Sequence, residues 1–69
     1  VLTSVGTVIR KRRKELNLTQ EQLAELAKID RSYLGQVERG ENSIALLPLK
    51  KIAEALSTTV AELMLDAGI

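Results

Sequence analysis

Helix start and stop signals divide this sequence into short segments, and no stretch alternates apolar and polar residues as a half-buried strand would. Thr19-Gln20-Glu21-Gln22 is a capping-box pattern, with a hydroxyl first and Gln three residues on. Thr59-x-x-Glu62 repeats the pattern, Asp30 is a good N-cap, and Thr3 or Ser4 can cap the first segment. Asn17 and Gly40 sit where a left-handed residue ends a helix. Five helices are therefore expected, over about 4–16, 19–28, 30–39, 46–56 and from 59 onward. Pro48 falls in the first turn of the fourth, where a missing N–H costs least. Connections of two to six residues suit a compact all-α domain, and residues 1–69 are read as one such domain.

The core of this domain has to be aliphatic, because Tyr33 is the lone aromatic residue. Val5, Ile9 and Leu16 mark the inward side of the first helix. Leu23, Ala24, Leu26 and Ala27 mark the second, and Leu34 and Val37 the third. Leu46, Leu49, Ile52, Ala53 and Leu56 follow the i, i+3, i+7 rhythm in the fourth. Val60, Leu63 and Met64 form the stripe of the fifth.

Histidine and cysteine are absent, which removes imidazole bases, thiol nucleophiles, disulfides and the common zinc ligands. No nucleophile–base pair and no phosphate-cradling Gly loop is visible. The chain is expected to be no enzyme and to need no cofactor, metal or small-molecule substrate. No apolar run approaches the ~18–20 residues of a membrane span, so no membrane partner is expected and cytoplasm is the default compartment.

A net charge of +1 at first argues against a polyanion partner. Its distribution argues otherwise. Residues 1–40 hold eight basic and five acidic side chains, and residues 41–69 hold two basic and four acidic. The first stretch is thus +3 and the second −2, with five consecutive positive residues from Arg10 to Lys14.

The second and third helices carry the functional signal. They are short, and Lys28-Ile29-Asp30 separates them, a spacing that fits a helix-turn-helix over about residues 19–38. Small Ala24 lets their axes approach. On a helical wheel of roughly 100° per residue, Leu34 and Val37 point inward. Ser32, Gly35, Gln36 and Arg39 then point outward, flanked by Arg31 and Tyr33. Gln can pair with adenine N6/N7, Arg with guanine O6/N7, and Ser with several base edges. No acidic residue falls at the centre of this face.

Leu18-Thr19-Gln20-Glu21-Gln22-Leu23-Ala24, Tyr33-Leu34, Val37-Glu38-Arg39-Gly40, Ile52-Ala53-x-Ala55-Leu56 and Val60-x-x-Leu63 occur in order. Together they resemble the Cro/C1-type, lambda-repressor-like helix-turn-helix domains (the XRE family), over about residues 5–65. Ile29-Asp30-Arg31-Ser32-Tyr33-Leu34 further resembles the restriction–modification controller proteins. The resemblance implies a bacterial or phage transcriptional regulator, such as a repressor, that binds the major groove of double-stranded DNA and sits on the nucleoid. It assigns DNA contacts to Thr19, Gln20, Arg31, Ser32, Tyr33, Gln36, Arg39 and Asn42. Gln20 would hold a phosphate and brace the recognition helix, or only populate a helix start. Arg31, Ser32 and Gln36 match base-reading positions. Tyr33 would touch phosphate or a thymine methyl, or pack its ring on the second helix. Arg39 and Asn42 match the backbone-hugging end of the third helix, although Arg39 could serve the helix dipole alone. Arg13 and Glu38 match a structural ion pair, which leaves the rest of the basic run as a solvated face with one or two phosphate contacts. Three positions depart from the pattern: Lys28 and Ser57 stand where Gly is common, and Ala45 where a capping Ser or Thr is usual.

A core this small rarely supplies more than ~3–5 kcal/mol, and one helix-turn-helix reads few base pairs. A two-fold dimer on a palindromic operator answers both limits. Its expected interface is the late apolar set Leu47, Leu63, Met64, Leu65 and Ile69. The same fold also serves antitoxins and protein-bridging modules, so an interaction module is the alternative function.

Overall fold

The computed structural model describes residues 2–68 of the chain, which form five helices. These are α1 (Leu2–Glu15), α2 (Gln20–Ala27), α3 (Arg31–Glu38), α4 (Leu46–Ala55) and α5 (Val60–Asp66). No strand occurs among the described residues, and no described helix is long and apolar enough to cross a membrane. Helix α2 packs on α3 and α4, α1 on α3 and α5, and α4 on α5. The described residues fill about 27 × 23 × 20 Å.

Local chemistry explains where each helix begins. The Thr19 hydroxyl accepts from the Gln22 amide at 3.0 Å, and the Gln22 side chain accepts from the Thr19 amide at 2.8 Å. The box is reciprocal, as its sequence requires. The Asp30 carboxylate accepts from the Tyr33 amide at 3.0 Å. Thr59 caps α5 by accepting from the Glu62 amide at 3.1 Å. The second half of that box differs from expectation, since the Glu62 carboxylate takes the Thr58 hydroxyl instead, at 2.6 Å. Helix α4 starts at Ala45 with no side-chain cap. Helix α1 already includes Thr3 and Ser4, so neither is its N-cap.

Every helix ends in a left-handed residue: Asn17 (φ 59°), Lys28 (φ 58°), Gly40 (φ 74°), Ser57 (φ 58°) and Gly68 (φ 81°). At Asn17, Lys28, Gly40 and Ser57 the same pair of bonds closes the turn. After α2, for example, Lys28 N–H reaches the Glu25 carbonyl at 3.2 Å and Ile29 N–H the Ala24 carbonyl at 3.0 Å. This is a Schellman closure, which satisfies the orphan carbonyls of the last turn. Lys28 and Ser57 adopt a conformation that costs L-residues roughly 1–2 kcal/mol each.

The buried core is Val5, Ile9, Leu23, Ala24, Ala27, Leu34, Val37, Leu49, Ile52, Ala53, Leu56 and Leu63. Three residues read as inward point out instead. Leu26 is exposed because the buried direction of α2 lies between Leu23, Ala24 and Ala27, and Leu26 falls about 100° away from it on the wheel. Leu46 is exposed at the first position of α4, one turn before Leu49 begins the buried stripe. Leu16 lies past the end of α1 and is half-exposed. Val60 and Met64 pack on the core only in part.

Helices α1 and α3 approach closely at a point that apolar periodicity does not reveal. Gly6 is buried where a Cβ would strike the Val37 carbonyl oxygen. Only Gly lets α1 run this close to the last turn of α3.

Candidate nucleic-acid interface

Helix α3 owes its pose to Leu34 and Val37, both sealed in the core, and to Glu38 at its end. Glu38 is a buried carboxylate, and Arg13 of α1 meets it with two parallel bonds. Arg13 Nε donates to Glu38 Oε2 at 2.8 Å and Nη2 donates to Oε1 at 2.9 Å. Arg13 Nη1 donates to the Leu18 carbonyl at 2.9 Å, so the same guanidinium also pins the chain entering α2. Gln20 Nε2 donates to Glu38 Oε1 at 3.1 Å. One carboxylate thus collects bonds from α1 and α2 and holds α3 against both, a fork geometry that fixes angle as well as distance.

Gln20 therefore braces α3 directly. Its side chain and that of Arg39 also cover Gly35. A Cβ there would lie 3.1 Å from Arg39 Nη1 and 3.5 Å from Gln20 Oε1. Gly35 is buried, which corrects its placement on the outward face. The glycine makes room for the two side chains that lie over it.

Arg31, Ser32, Gln36 and Arg39 remain exposed, and Thr19 stands exposed at the start of α2. Gln20, Arg31, Ser32, Gly35, Gln36 and Arg39 line a shallow concavity between α2 and α3. The structure brings Asn42 to this set as well, with its Nδ2 donating to Gln36 Oε1 at 3.1 Å.

Two neighbours of the face are occupied by partners within the chain. Arg39 pairs with Glu41, Nε to Oε2 at 3.1 Å and Nη2 to Oε1 at 3.1 Å. That bond, then the charge behind it, raises the Arg39 pKa, and the same bond lowers the Glu41 carboxyl from its ordinary value. Both side chains are more than half exposed. The Tyr33 ring packs against the core in part. Its hydroxyl donates to the Ser43 carbonyl and accepts from the Ala45 amide, each at 3.4 Å. Tyr33 thus stitches α3 to the chain leading into α4.

The basic run of α1 splits by direction. Arg13 faces α3. Arg12 faces α5, where Nε and Nη2 donate to Asp66 Oδ2 at 3.1 and 2.5 Å. Arg10, Lys11 and Lys14 are exposed.

The late apolar residues expected at an interface do not all have surface to offer. Leu63 is fully buried in the monomer core, so it has no surface to offer a second chain. Met64 is half-buried against that core. Leu47 and Leu65 are exposed at 64% and 72%, and Leu46 at 72% joins them as an exposed residue the apolar rhythm had assigned to the interior. Ile69 lies outside the described residues.

Comparison with known proteins matches this arrangement to one family. The Helix-turn-helix family model matches residues 9–63. The control protein C.SmaI of Serratia marcescens is 43% identical over 61 residues, which are 88% of this chain and 73% of that protein. The control protein C.MunI of Mycoplasma sp is 37% identical over 62 residues, covering 88% of this chain and 84% of that one. Among solved structures, the restriction-modification controller protein C.AhdI from Aeromonas hydrophila superposes with a TM-score of 0.87 at 42% identity. That match covers 90% of this chain and 94% of C.AhdI.

Proposed function

This chain belongs to the Helix-turn-helix family, as a domain of Cro/C1 type, and from that we propose that it is a sequence-specific DNA-binding transcriptional regulator, akin to the restriction-modification controllers. The observation that carries the reading is the outward face of α3. Arg31, Ser32 and Gln36 stand exposed there with no acid between them, on a helix that a buried carboxylate fixes to its neighbours. An exposed helix face with donors and acceptors, held at a set angle, is what the major groove accepts.

In this reading Arg31, Ser32 and Gln36 contact base edges. Thr19, Gln20 and Arg39 contact phosphates at the margins, with Gln20 also bracing Glu38. Tyr33 acts mainly by fixing the loop after α3. Arg13 stays structural. Residues 1–69 act as one DNA-binding domain in the cytoplasm.

The regulator works as a homodimer on a palindromic site. Two copies place two recognition helices about 34 Å apart, one turn of DNA. Exposed Leu47 and Leu65, with Leu46 beside Leu47, are the late apolar side chains assigned to the contact.

Selection of bound sequences from a random DNA pool at stated salt tests both claims. A palindromic motif is expected. A pool that gains no motif would overturn sequence-specific binding, and a single unrepeated half-site would overturn the dimer.

A further inference from the structure

The geometry points to Asn42 as a positioning residue that sets the hydrogen-bonding polarity of Gln36, and through it the base that Gln36 accepts. The inference rests on the reading of Gln36 as a base contact. It replaces the role that the resemblance implied for Asn42, a contact to the sugar–phosphate backbone.

A glutamine side chain ends in an amide with two chemically opposite faces. Its oxygen only accepts and its nitrogen only donates. An exposed glutamine can rotate its amide by half a turn at little cost and offer either end to a base edge. Gln36 is exposed, yet it is held at both ends of the residue. Its backbone carbonyl accepts from Glu41 N–H at 2.8 Å, and its side-chain Oε1 accepts from Asn42 Nδ2 at 3.1 Å. Gly40 makes this possible. Its left-handed conformation, φ 74°, turns the chain back across the end of α3 and brings Asn42 beside a residue six positions earlier.

The bond to Asn42 keeps the oxygen of Gln36 on the loop side, so the Nε2 hydrogens are the end left to donate. In the major groove the matching acceptors are N7 of either purine, O6 of guanine and O4 of thymine, whereas the cytosine N4 group only donates. Adenine stays acceptable through its N7, which takes an Nε2 hydrogen without calling on the oxygen. A contact that offers donors first therefore rejects cytosine at its position. Without Asn42 the amide is free to turn, and that rejection weakens. An aspartate at position 42 can only accept in its ionised form. It draws the Gln36 nitrogen toward the loop and turns the oxygen outward, which favours donors on the base edge.

Affinities for the selected site and its single-base variants, measured at several salt concentrations, test the inference with Gln36→Ala, Asn42→Ala and Asn42→Asp. Gln36→Ala should flatten the base preference at one position in each half-site and so identify it. Asn42→Ala should lose about fivefold or more of the discrimination against cytosine at that same position. It should leave the other positions and the salt slope unchanged. Asn42→Asp should bind more weakly overall through its added charge, yet shift the ratio at that position toward cytosine. Asn42 lies in an exposed loop, and unaltered helical circular dichroism would verify that each variant is folded. If Asn42→Ala weakens binding equally on every sequence and lowers the salt slope by about one, Asn42 is a phosphate contact. The inference then fails while the base-reading role of Gln36 stands. If Gln36→Ala leaves every base ratio intact, the reading beneath the inference fails with it.

Discussion

At the scale of single residues, the Glu38 carboxylate is the most consequential group in the chain. It is buried and carries bonds from Arg13 and Gln20. Its worth to folding is small as a pair and large as a liability. Arg13→Ala should cost about 3–5 kcal/mol by leaving a buried charge unpaired, enough to unfold much of a domain this small. Thermal unfolding would check it. The double replacement Arg13→Met with Glu38→Leu should recover most of the loss, and a double variant no more stable than Arg13→Ala would contradict that account. The exposed Arg39–Glu41 pair makes the opposite prediction, about binding. If Arg39 holds a phosphate as proposed, Glu41 competes for it, so Glu41→Gln should tighten DNA binding and steepen its salt slope by about one. The gain should vanish when Arg39→Ala is added. A gain that survives would mean that only the general field had changed. Gln36→Ala should cost about 1–3 kcal/mol on the selected site and less on random DNA. Individual roles were only partly legible beforehand. Exposure of Arg31, Ser32 and Gln36 follows from a wheel, but the partners of Tyr33, Gly35 and Arg39 depend on loops and on neighbouring helices that periodicity does not describe.

At the scale of the elements, the helices are legible because their punctuation is local. Thr19, Asp30 and Thr59 each bond an amide within three residues, so the sequence around them is enough. Thr3 and Ser4 offer the same kind of signal for α1, but that helix begins at Leu2 and takes both inside it. Leu26 and Leu46 misled for a different reason. An apolar side chain at helical spacing is buried only if another element covers that arc and that turn. The ends of the helices hold reserves of stability. Lys28 and Ser57 stand in left-handed positions, and Lys28→Gly and Ser57→Gly should each stabilise by about 1 kcal/mol. That should raise the melting temperature by about 4–8 °C apiece. A fall in melting temperature would show that their side chains hold contacts worth more than the strain. Gly6→Ala should act the other way. Its Cβ would meet the Val37 carbonyl, so α1 must shift and disturb Arg13 seven residues on.

At the scale of the whole molecule, the charge asymmetry gains a shape. Arg13 is withdrawn from the basic run by Glu38, and Arg12 by Asp66 across to α5. The unpaired positive charge of α1 is smaller than the run of five suggests, so in the proposed binding mode more weight falls on base contacts and on a second copy of them. Leu47→Asp and Leu65→Asp should each leave a folded monomer with weakened operator binding. Sedimentation across a concentration series would check this, and a wild-type chain that stays monomeric at high micromolar concentration would remove the dimer from the account. Tyr33 has a practical consequence of its own. It is the one aromatic ring in the chain, it lies in the recognition helix, and its hydroxyl touches the loop entering α4. Fluorotyrosine incorporated throughout would therefore give a single fluorine resonance. That one line would report folding, loop opening and operator binding, with no label added to the DNA-facing surface.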